Sequence, residues 1–463
     1  MFYHDTIAAI ATSSKNGSIS VIRVSGEESF SFVSKIFYNS NNENIDLNLC
    51  ETHTVHYGYI KNAEGDLLDE VLVLLMKAPR SYTAEDTVEI QCHGGSFICR
   101  AILNLLIENG VRVAEPGEFT KRAFLHGRID LSQAESVKDV IQSKSKIALE
   151  NSLSQLRGNV KEKITELRDM ILVDICTLEA ALDDPEHLSL DGYSSMMSEH
   201  VDLLQKEVAH LLKNSENGRI IREGIKTVII GKPNVGKSSF LNCILRENRA
   251  IVTDIPGTTR DTLEEELMIG DTLLQLIDTA GIHDTEDTIE NIGIEKAKKS
   301  VKEADFVICI LDSSDKLSED DIFILKQAEH VPGVILLNKS DLDSVILPEQ
   351  MKEYEEGNKK VMVFSAATGQ GLTELEEYLN ELFCQDEIDY EKDIYITNHR
   401  QKQALVDTAE SLNQLREGIE SRVPEDLYSI DLYNAYESLG KIIGKTVEDD
   451  IVDKIFKDFC MGK

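Results

Sequence analysis

Between residues 226 and 366, short apolar runs are each closed by a polar string, and that alternation admits few folds. Lys226–Ile230 is β-rich and apolar, Gly231–Ser238 (GKPNVGKS) follows it, and Ser238–Leu245 reads as a helix. Leu273–Ile277 ends in Asp278-Thr279-Ala280-Gly281, Val334–Leu337 in Asn338-Lys339-Ser340-Asp341, and Val361–Phe364 in Ser365-Ala366. Strands alternating with helices predict an α/β sheet over roughly 224–384.

The strings themselves predict a ligand. Gly231 and Gly236 let the backbone curl so that its N–H groups face phosphate oxygens, with Asn234, Val235 and Ser239 in the same cradle. Lys237 reaches the outer phosphates, and the Ser238 hydroxyl is placed to hold Mg²⁺. The phosphate would then meet a helix N-terminus, where unpaired N–H groups and the dipole favour an anion. Thr258, Thr259, Arg260 and Asp261 form a threonine-bearing switch segment, one hydroxyl of which can complete the Mg²⁺ shell. In Asp278-Thr279-Ala280-Gly281 the carboxylate bonds the metal's water shell and Gly281 offers its N–H to the γ-phosphate. Asp341, in the string opened by Asn338 and Lys339, can accept from both the N1–H and the N2 amine of guanine. Adenine lacks that donor pair, so the string selects GTP over ATP. Ser365 and Ala366 touch the base edge. One at a time, these strings also read as turns or strand ends; in this order they predict a Ras-like P-loop domain that binds and hydrolyses GTP.

The catalytic equipment departs from the Ras pattern, in which a Gln after the Asp-x-x-Gly string orients water and an arginine finger is supplied. Ile282 stands at the Gln position and does neither. Asn234 can give a side-chain oxygen to a monovalent cation, and Thr253–Thr259 (TDIPGTT) can give backbone carbonyls to the same ion. A K⁺ there would take the place of the missing finger's charge. Asn234 also reads as a hydrogen-bonder that stabilises the loop. Glu290 is a candidate to orient water through a second water, and equally an exposed acid at a helix start.

At 463 residues the chain has room for about three domains. Hydrophobic residues make up 41% and no apolar stretch reaches spanning length, so no membrane helix is expected. The start, MFYHDTIAAIATSSKNGS, lacks the pattern of a signal peptide. Eight scattered cysteines without a C-x-x-C pair suit reduced thiols in a cytoplasm, and Cys92-His93 reads as a strand end. With 83 acids against 48 bases the net charge is −35, which opposes broad contact with a phosphate backbone. Lys121, Arg122, His126 and Arg128 form the best local candidate for an anion, and an RNA substrate would be held largely by a partner.

Residues 1–119 alternate like strands at Ser18–Val24, Thr52–Ile60, Leu67–Met76 and Thr87–Gln91 around a helix at Phe97–Glu108, predicting a small α+β domain closed by Pro116-Gly117. From 120 to 223 the period becomes helical: Leu153, Leu156, Val160, Ile164, Leu167, Ile171, Ile175 and Leu178, then Met197, Val201, Leu204, Val208 and Leu211. Helical character returns over 385–463 at Gln401–Leu415, Pro424–Leu439 and Val447–Phe459. Because domain termini tend to lie close together, the two helical segments are expected to form one bundle with the 224–384 domain inserted between them.

Three further strings carry a resemblance. They are Pro116–Leu125 (PGEFTKRAFL), Ile22–Gly26 (IRVSG) and Glu89–Gly95 (EIQCHGG), together with the ending Phe459-Cys460-Met461-Gly462-Lys463. With the inserted domain they resemble, over the whole chain, the MnmE (TrmE) family of tRNA uridine-modification GTPases. The resemblance implies a folate-binding N-terminal domain that forms a homodimer, and a flavin- and NADH-using partner, MnmG (GidA), in a heterotetrameric type of complex. It implies an aminomethyl or carboxymethylaminomethyl group added at C5 of the tRNA wobble uridine, with 5-formyl- or methylene-tetrahydrofolate as one-carbon donor. The family's folate contacts fall on Arg23, Glu89, Arg128 and Lys463; read without the family, Arg23 and Glu89 are a structural salt bridge. Its K⁺ site falls on Asn234, Thr253, Ile255 and Thr258, with Asp254, Pro256 and Gly257 in the same segment. Mg²⁺ falls on Ser238 and Thr259, the water-orienting acid on Glu290, and the functional thiol on Cys460. Cys460 alone reads either as a reactive thiol near Lys457 and Lys463 or as a small buried hydrophobe. A ribosome-assembly GTPase acting as an RNA-binding switch is the competing expectation, and the chain has no evident basic module for it. A dynamin-like mechanical GTPase, suggested by the long helices, lacks a membrane-inserting segment.

Overall fold

The computed structural model describes residues 5–12, 17–184, 193–247, 265–270, 272–277, 301–355, 359–383, 394–445, 455–456, 459 and 462. By contacts the chain divides into two compact units, one of residues 1–141, 155–208 and 403–463, the other of 142–154 and 209–402. Among the described residues no helix is long and apolar enough to cross a membrane.

The first unit holds a seven-stranded sheet ordered β3-β4-β5-β6-β2-β1-β7. Its strands are β1 (Ile7–Ile10), β2 (Ile19–Ser25), β3 (Phe37–Asn39), β4 (Thr54–Lys61), β5 (Leu67–Met76), β6 (Thr87–His93) and β7 (Arg112–Val113). All neighbours are antiparallel except β1 with β7. Alternation sets the faces: Asp69, Val71, Val73 and Leu75 of β5 are buried, and the three apolar ones join Ile22, Val24, Ile90 and Phe30 in one core. Helices α1 (Ser29–Ile36) and α2 (Ser96–Glu108) supply Val33, Ile102 and Leu106 to it. The inward Asp69 is satisfied by His93, accepting from its backbone N–H at 2.8 Å and facing its Nδ1 at 2.6 Å.

Pro116-Gly117 leads into a helix, α3 (Glu118–Leu125), with Gly117 at φ +71°. Its Phe119 packs with Ile7, Ala9 and Ala114. A Cβ on Gly117 would lie 2.5 Å from the Phe456 carbonyl oxygen, so the residue is glycine because the C-terminal segment passes against it. Four helices follow: α4 (Leu131–Gln142), α5 (Lys146–Arg157), α6 (Asn159–Asp183) and α7 (Tyr193–Glu223). The single run of apolar positions expected from Leu153 to Leu178 is two helices, because Gly158 at φ +103° breaks it. Consequently Leu153 is exposed while Val160, Ile164, Leu167, Ile171, Ile175 and Leu178 are buried. Near the C-terminus, α11 (His399–Glu420) and α12 (Tyr428–Ile443) return to this helical region. The Arg168 guanidinium of α6 lies 4.0 Å from the Tyr436 ring centroid, Gln205 of α7 donates to Asn413 at 2.7 Å, and Arg416 pairs with Asp202. Of the expected helix over 447–459, only Ile455 and Phe456 are described as helical; Phe456 and Phe459 are buried against Ala123 and Leu131.

The second unit holds a six-stranded sheet ordered β13-β12-β11-β8-β10-β9. Its strands are β8 (Ile225–Ile230), β9 (Glu265–Ile269), β10 (Thr272–Leu276), β11 (Phe306–Asp312), β12 (Gly333–Asn338) and β13 (Lys359–Val363). All pairs are parallel except β9 with β10. One face is covered by α8 (Lys237–Glu247) and α10 (Leu372–Phe383) through Phe240, Ile244, Leu375 and Leu379. The other receives Leu325 of α9 (Glu319–Gln327). Coverage on both faces explains why these strands read apolar throughout. The chain thus mixes α/β sheets with helical segments.

Candidate functional site

In the six-stranded sheet, β8 has β10 on one side and β11 on the other, so the strand order reverses there. Crevices for ligands form at such reversals, beyond the carboxyl ends of the strands. Gly231–Gly236 occupies that place, between β8 and α8. A Cβ on Gly231 would stand 2.4 Å from the Ile310 carbonyl oxygen, and one on Gly236, at φ +102°, 2.2 Å from Asn338 Nδ2. Asn234 is exposed with φ +64°, a conformation Asn tolerates better than most residues. Lys237 Nζ donates to the carbonyls of Gly231 at 2.7 Å and Lys232 at 2.8 Å, within the curl of the loop. Burial holds this ammonium below the ordinary lysine range, and an anion in the loop would act in the opposite direction. Ser238 and Ser239 are exposed on the first turn of α8, and Val235 is buried.

The other strand ends converge on this loop. Asn338, 2% exposed at the end of β12, donates from Nδ2 to the Val235 carbonyl at 2.7 Å. Its Oδ1 accepts from the Ala366 N–H at 3.0 Å. Asp341 accepts from the Ser365 hydroxyl at 2.6 Å. Asn338, Asp341, Ser365, Ala366 and the loop therefore form one hydrogen-bonded neighbourhood. Lys339, at φ +64°, pairs with Asp312 at 2.5 Å. Asp312 belongs to no nucleotide-binding string, although Phe306–Leu311 followed by Asp repeats the pattern of the other strand ends. Burial pushes its carboxyl up, but Lys339 and Ser314 outweigh that and hold it below the ordinary range.

A second neighbourhood lies on the seven-stranded sheet. Arg23 of β2 faces Glu89 of β6 across the ladder, and Arg23 Nε donates to Glu89 Oε1 at 2.8 Å. Both side chains are partly exposed, at 18% and 17%. The Arg23 guanidinium also lies 5.0 Å from the Tyr82 ring centroid and 5.5 Å from that of Phe119. Arg128 lies 5.0 Å from the same Tyr82 centroid and donates to the Tyr82 carbonyl at 2.9 Å. Tyr82 joins three residues distant in sequence, and its hydroxyl is 2.8 Å from that of Thr120. No periodicity marks Tyr82 in the string RSYTAEDT; only the folded sheet reveals it. Gly462, at φ +87°, packs where a Cβ would lie 2.4 Å from the Ile10 carbonyl oxygen. That strand is β1, whose Ala9 is registered opposite Arg23.

Of the basic residues expected to form a local patch, Lys121, Arg122, His126 and Arg128, Arg122 does not contribute to the surface. Arg122 is wholly buried. It donates to the carboxylates of Asp5 at 2.7 Å, Glu118 at 3.0 Å and Glu85 at 3.1 Å. Its charge is paired with these three acids, and His126 Nδ1 faces the Thr83 carbonyl at 2.8 Å. Several expected site residues lie outside the described residues: Thr253, Asp254, Ile255, Pro256, Gly257, Thr258, Thr259, Asp278, Thr279, Ala280, Gly281, Glu290, Cys460 and Lys463.

A glycine-cornered loop between a parallel strand and a helix is the arrangement of the P-loop nucleotide-binding class. Comparison with known proteins narrows the class. The family described as "MnmE helical domain" matches residues 131–460, and that described as "GTP-binding protein TrmE N-terminus" matches 6–128. A protein of Lachnoclostridium phytofermentans named tRNA modification GTPase MnmE is 51% identical over 459 residues, covering 99% of both chains. Relatives of the same name are 45% identical in Clostridioides difficile over the full length of both chains and 41% identical in Bacillus subtilis over 99% of this chain and 100% of that protein. The chain belongs to the MnmE family of tRNA modification GTPases.

Proposed function

We propose that this GTPase is potassium-dependent and works with the flavoprotein MnmG to add an aminomethyl or carboxymethylaminomethyl group at C5 of the tRNA wobble uridine, drawing one carbon from a tetrahydrofolate. The observation that carries the nucleotide half is the bonding of Asn338 to both Val235 of the loop and Ala366. It supports one site whose phosphate end is Gly231–Ser239 and whose guanine end is Asn338, Lys339, Asp341, Ser365 and Ala366. In this reading 224–384 is a Ras-like GTPase domain inserted into a helical domain of 120–223 and 385–463, beside an N-terminal domain of 1–119.

Asn234, exposed on the loop, has the side-chain oxygen a monovalent cation needs, with Thr253, Ile255 and Thr258 as the other donors. Potassium, when bound, supplies the charge that an arginine finger supplies elsewhere. Ser238 and Thr259 hold Mg²⁺, Asp278 its water shell, and Glu290 orients water. Arg23, Glu89 and Arg128 take the folate: the partly exposed carboxylate suits a pterin's N–H donors, and the guanidinium groups suit its glutamate tail. Lys463 completes that site, and Cys460 serves the modification. The chain acts as a homodimer in the cytoplasm, with tRNA held largely by the partner.

Hydrolysis by the full chain is expected several-fold faster in K⁺ than in Na⁺, since Ile282 leaves no polar side chain for that work. Equal rates in the two salts would discard the ion. Mass analysis of tRNA nucleosides from cells lacking the chain should show the wobble group missing; intact wobble uridines with abnormal ribosome profiles would favour a role in ribosome assembly.

A further inference from the structure

The second residue of the phosphate loop carries a charge that the proposed hydrolysis does not use. Lys232 Nζ donates to the Ser318 hydroxyl at 2.9 Å and pairs with Asp321 Oδ2 at 2.8 Å. Asp321 is the third residue of α9 and only 3% exposed. Its Oδ2 also accepts from the Ser318 N–H at 3.0 Å and from the Ser318 hydroxyl at 2.8 Å, as part of the box that caps the helix. Its Oδ1 is buried with no hydrogen-bond partner among the described residues. This buried carboxylate is therefore held mainly on one oxygen, and Lys232 supplies the countercharge.

The backbone of the same lysine does a second job, because its carbonyl accepts from Lys237 Nζ. One residue thus joins the amine that would meet the outer phosphates to a buried acid on a neighbouring helix. Two positions further on, Asn234 sits at φ +64°, a left-handed conformation that Asn tolerates. A neighbouring helix thus holds the loop at Lys232, as Asn338 holds it at the Val235 carbonyl.

We propose that Lys232 and Asp321 form a latch that positions the phosphate loop, acting as positioning residues rather than contacts to the nucleotide. The proposal rests on the reading of Gly231–Ser238 as the phosphate site. A loop already ordered before binding loses little freedom on binding. An unlatched loop should therefore hold GDP and GTP more weakly by the same factor, raising KM and leaving kcat in place. Either partner's loss opens the latch, so the two losses should not add.

The test uses the full-length chain, titrated with fluorescent GDP and GTP analogues and assayed for GTP hydrolysis, as wild type, K232A, K232R, D321N and K232A/D321N. D321N removes the charge and leaves one amide oxygen to accept in the cap of α9, with the NH2 group at the position of the unpartnered Oδ1. The expected result is roughly five- to tenfold weaker binding of both nucleotides in K232A, D321N and the double variant, with KM raised alike and kcat within about twofold. K232R should recover most of the loss, since a guanidinium keeps the charge and the bond. Thermal melting identifies folded variants, and if K232A does not fold D321N carries the test. Folded variants that bind GDP like wild type would overturn the latch. So would a fall in kcat at unchanged KM, which would make Lys232 a transition-state contact. A wild-type chain that binds no GDP would instead remove the phosphate-site reading itself.

Discussion

In the six-stranded sheet the candidate contacts come from main chain and from residues just past the strand ends, whereas in the seven-stranded sheet they come from side chains within strands and from loops that fold over them. The phosphate loop has its shape because Gly231 and Gly236 leave no room for a Cβ beside Ile310 and Asn338. The Arg23 neighbourhood has its shape because the ladder sets Arg23 opposite Glu89, with the Tyr82 ring centroid 5.0 Å from two guanidinium groups. One site is governed by where the backbone can go. The other is governed by register, where a slip of one residue would turn Arg23 to the opposite face. The two should therefore fail under different kinds of substitution.

The largest effect is expected at Gly236. An alanine there meets Asn338 Nδ2 at 2.2 Å and must hold φ +102°, so GTP and GDP affinity should fall by roughly a hundredfold or more. Folate binding should not change. Nucleotide and tetrahydrofolate titrations of the same G236A preparation separate the two sites, and parallel losses in both would break the contrast.

A smaller and opposite effect is expected from Arg23→Lys. Lysine keeps the charge but loses the planar group that lies over Tyr82 and Phe119, so tetrahydrofolate affinity should drop about tenfold with GDP affinity unchanged. A lysine variant that binds folate like wild type would show that charge alone suffices there.

The smallest effect concerns the buried acids beside that sheet. Burial pushes the Glu118 carboxyl up, but Arg112, the Glu115 N–H and Arg122 together hold it below its ordinary 4.5. A carboxyl lowered by folding contributes stability that is complete above pH 4.5 and disappears as pH falls through its folded value. Glu118→Gln should accordingly lower the melting temperature by roughly 2–4 °C near neutral pH. The gap to wild type should close in acid. A gap independent of pH would mean that Glu118 acts by packing rather than by charge.

What could be read from the sequence divides along the same line. The phosphate loop and the Asn338 to Asp341 string are contiguous, so spacing alone exposes them. Asp312 closes an apolar run in the same way, but Ser313 and Ser314 after it form no nucleotide-binding string. Tyr82 could not be found this way, because its partners are 59 and 46 residues distant along the chain, Arg23 on one side and Arg128 on the other. Periodicity located the helices but ran α5 and α6 together, since apolar spacing persists through Gly158 while the backbone turns at φ +103°. Charge counting marks Arg122 as part of a basic patch, whereas it is buried and paired with three acids distant or near in sequence. Side-chain chemistry is legible locally, and its partners are set by tertiary pairing.

Calorimetric titration of the purified full-length chain with GDP and with ADP tests the central claim most directly. Binding of GDP with ADP at least roughly a thousandfold weaker, and loss of that preference in Asp341→Asn, is the predicted result. Equal affinity for the two nucleotides, or no heat with GDP, would contradict the assignment of the strand-end crevice as a guanine site.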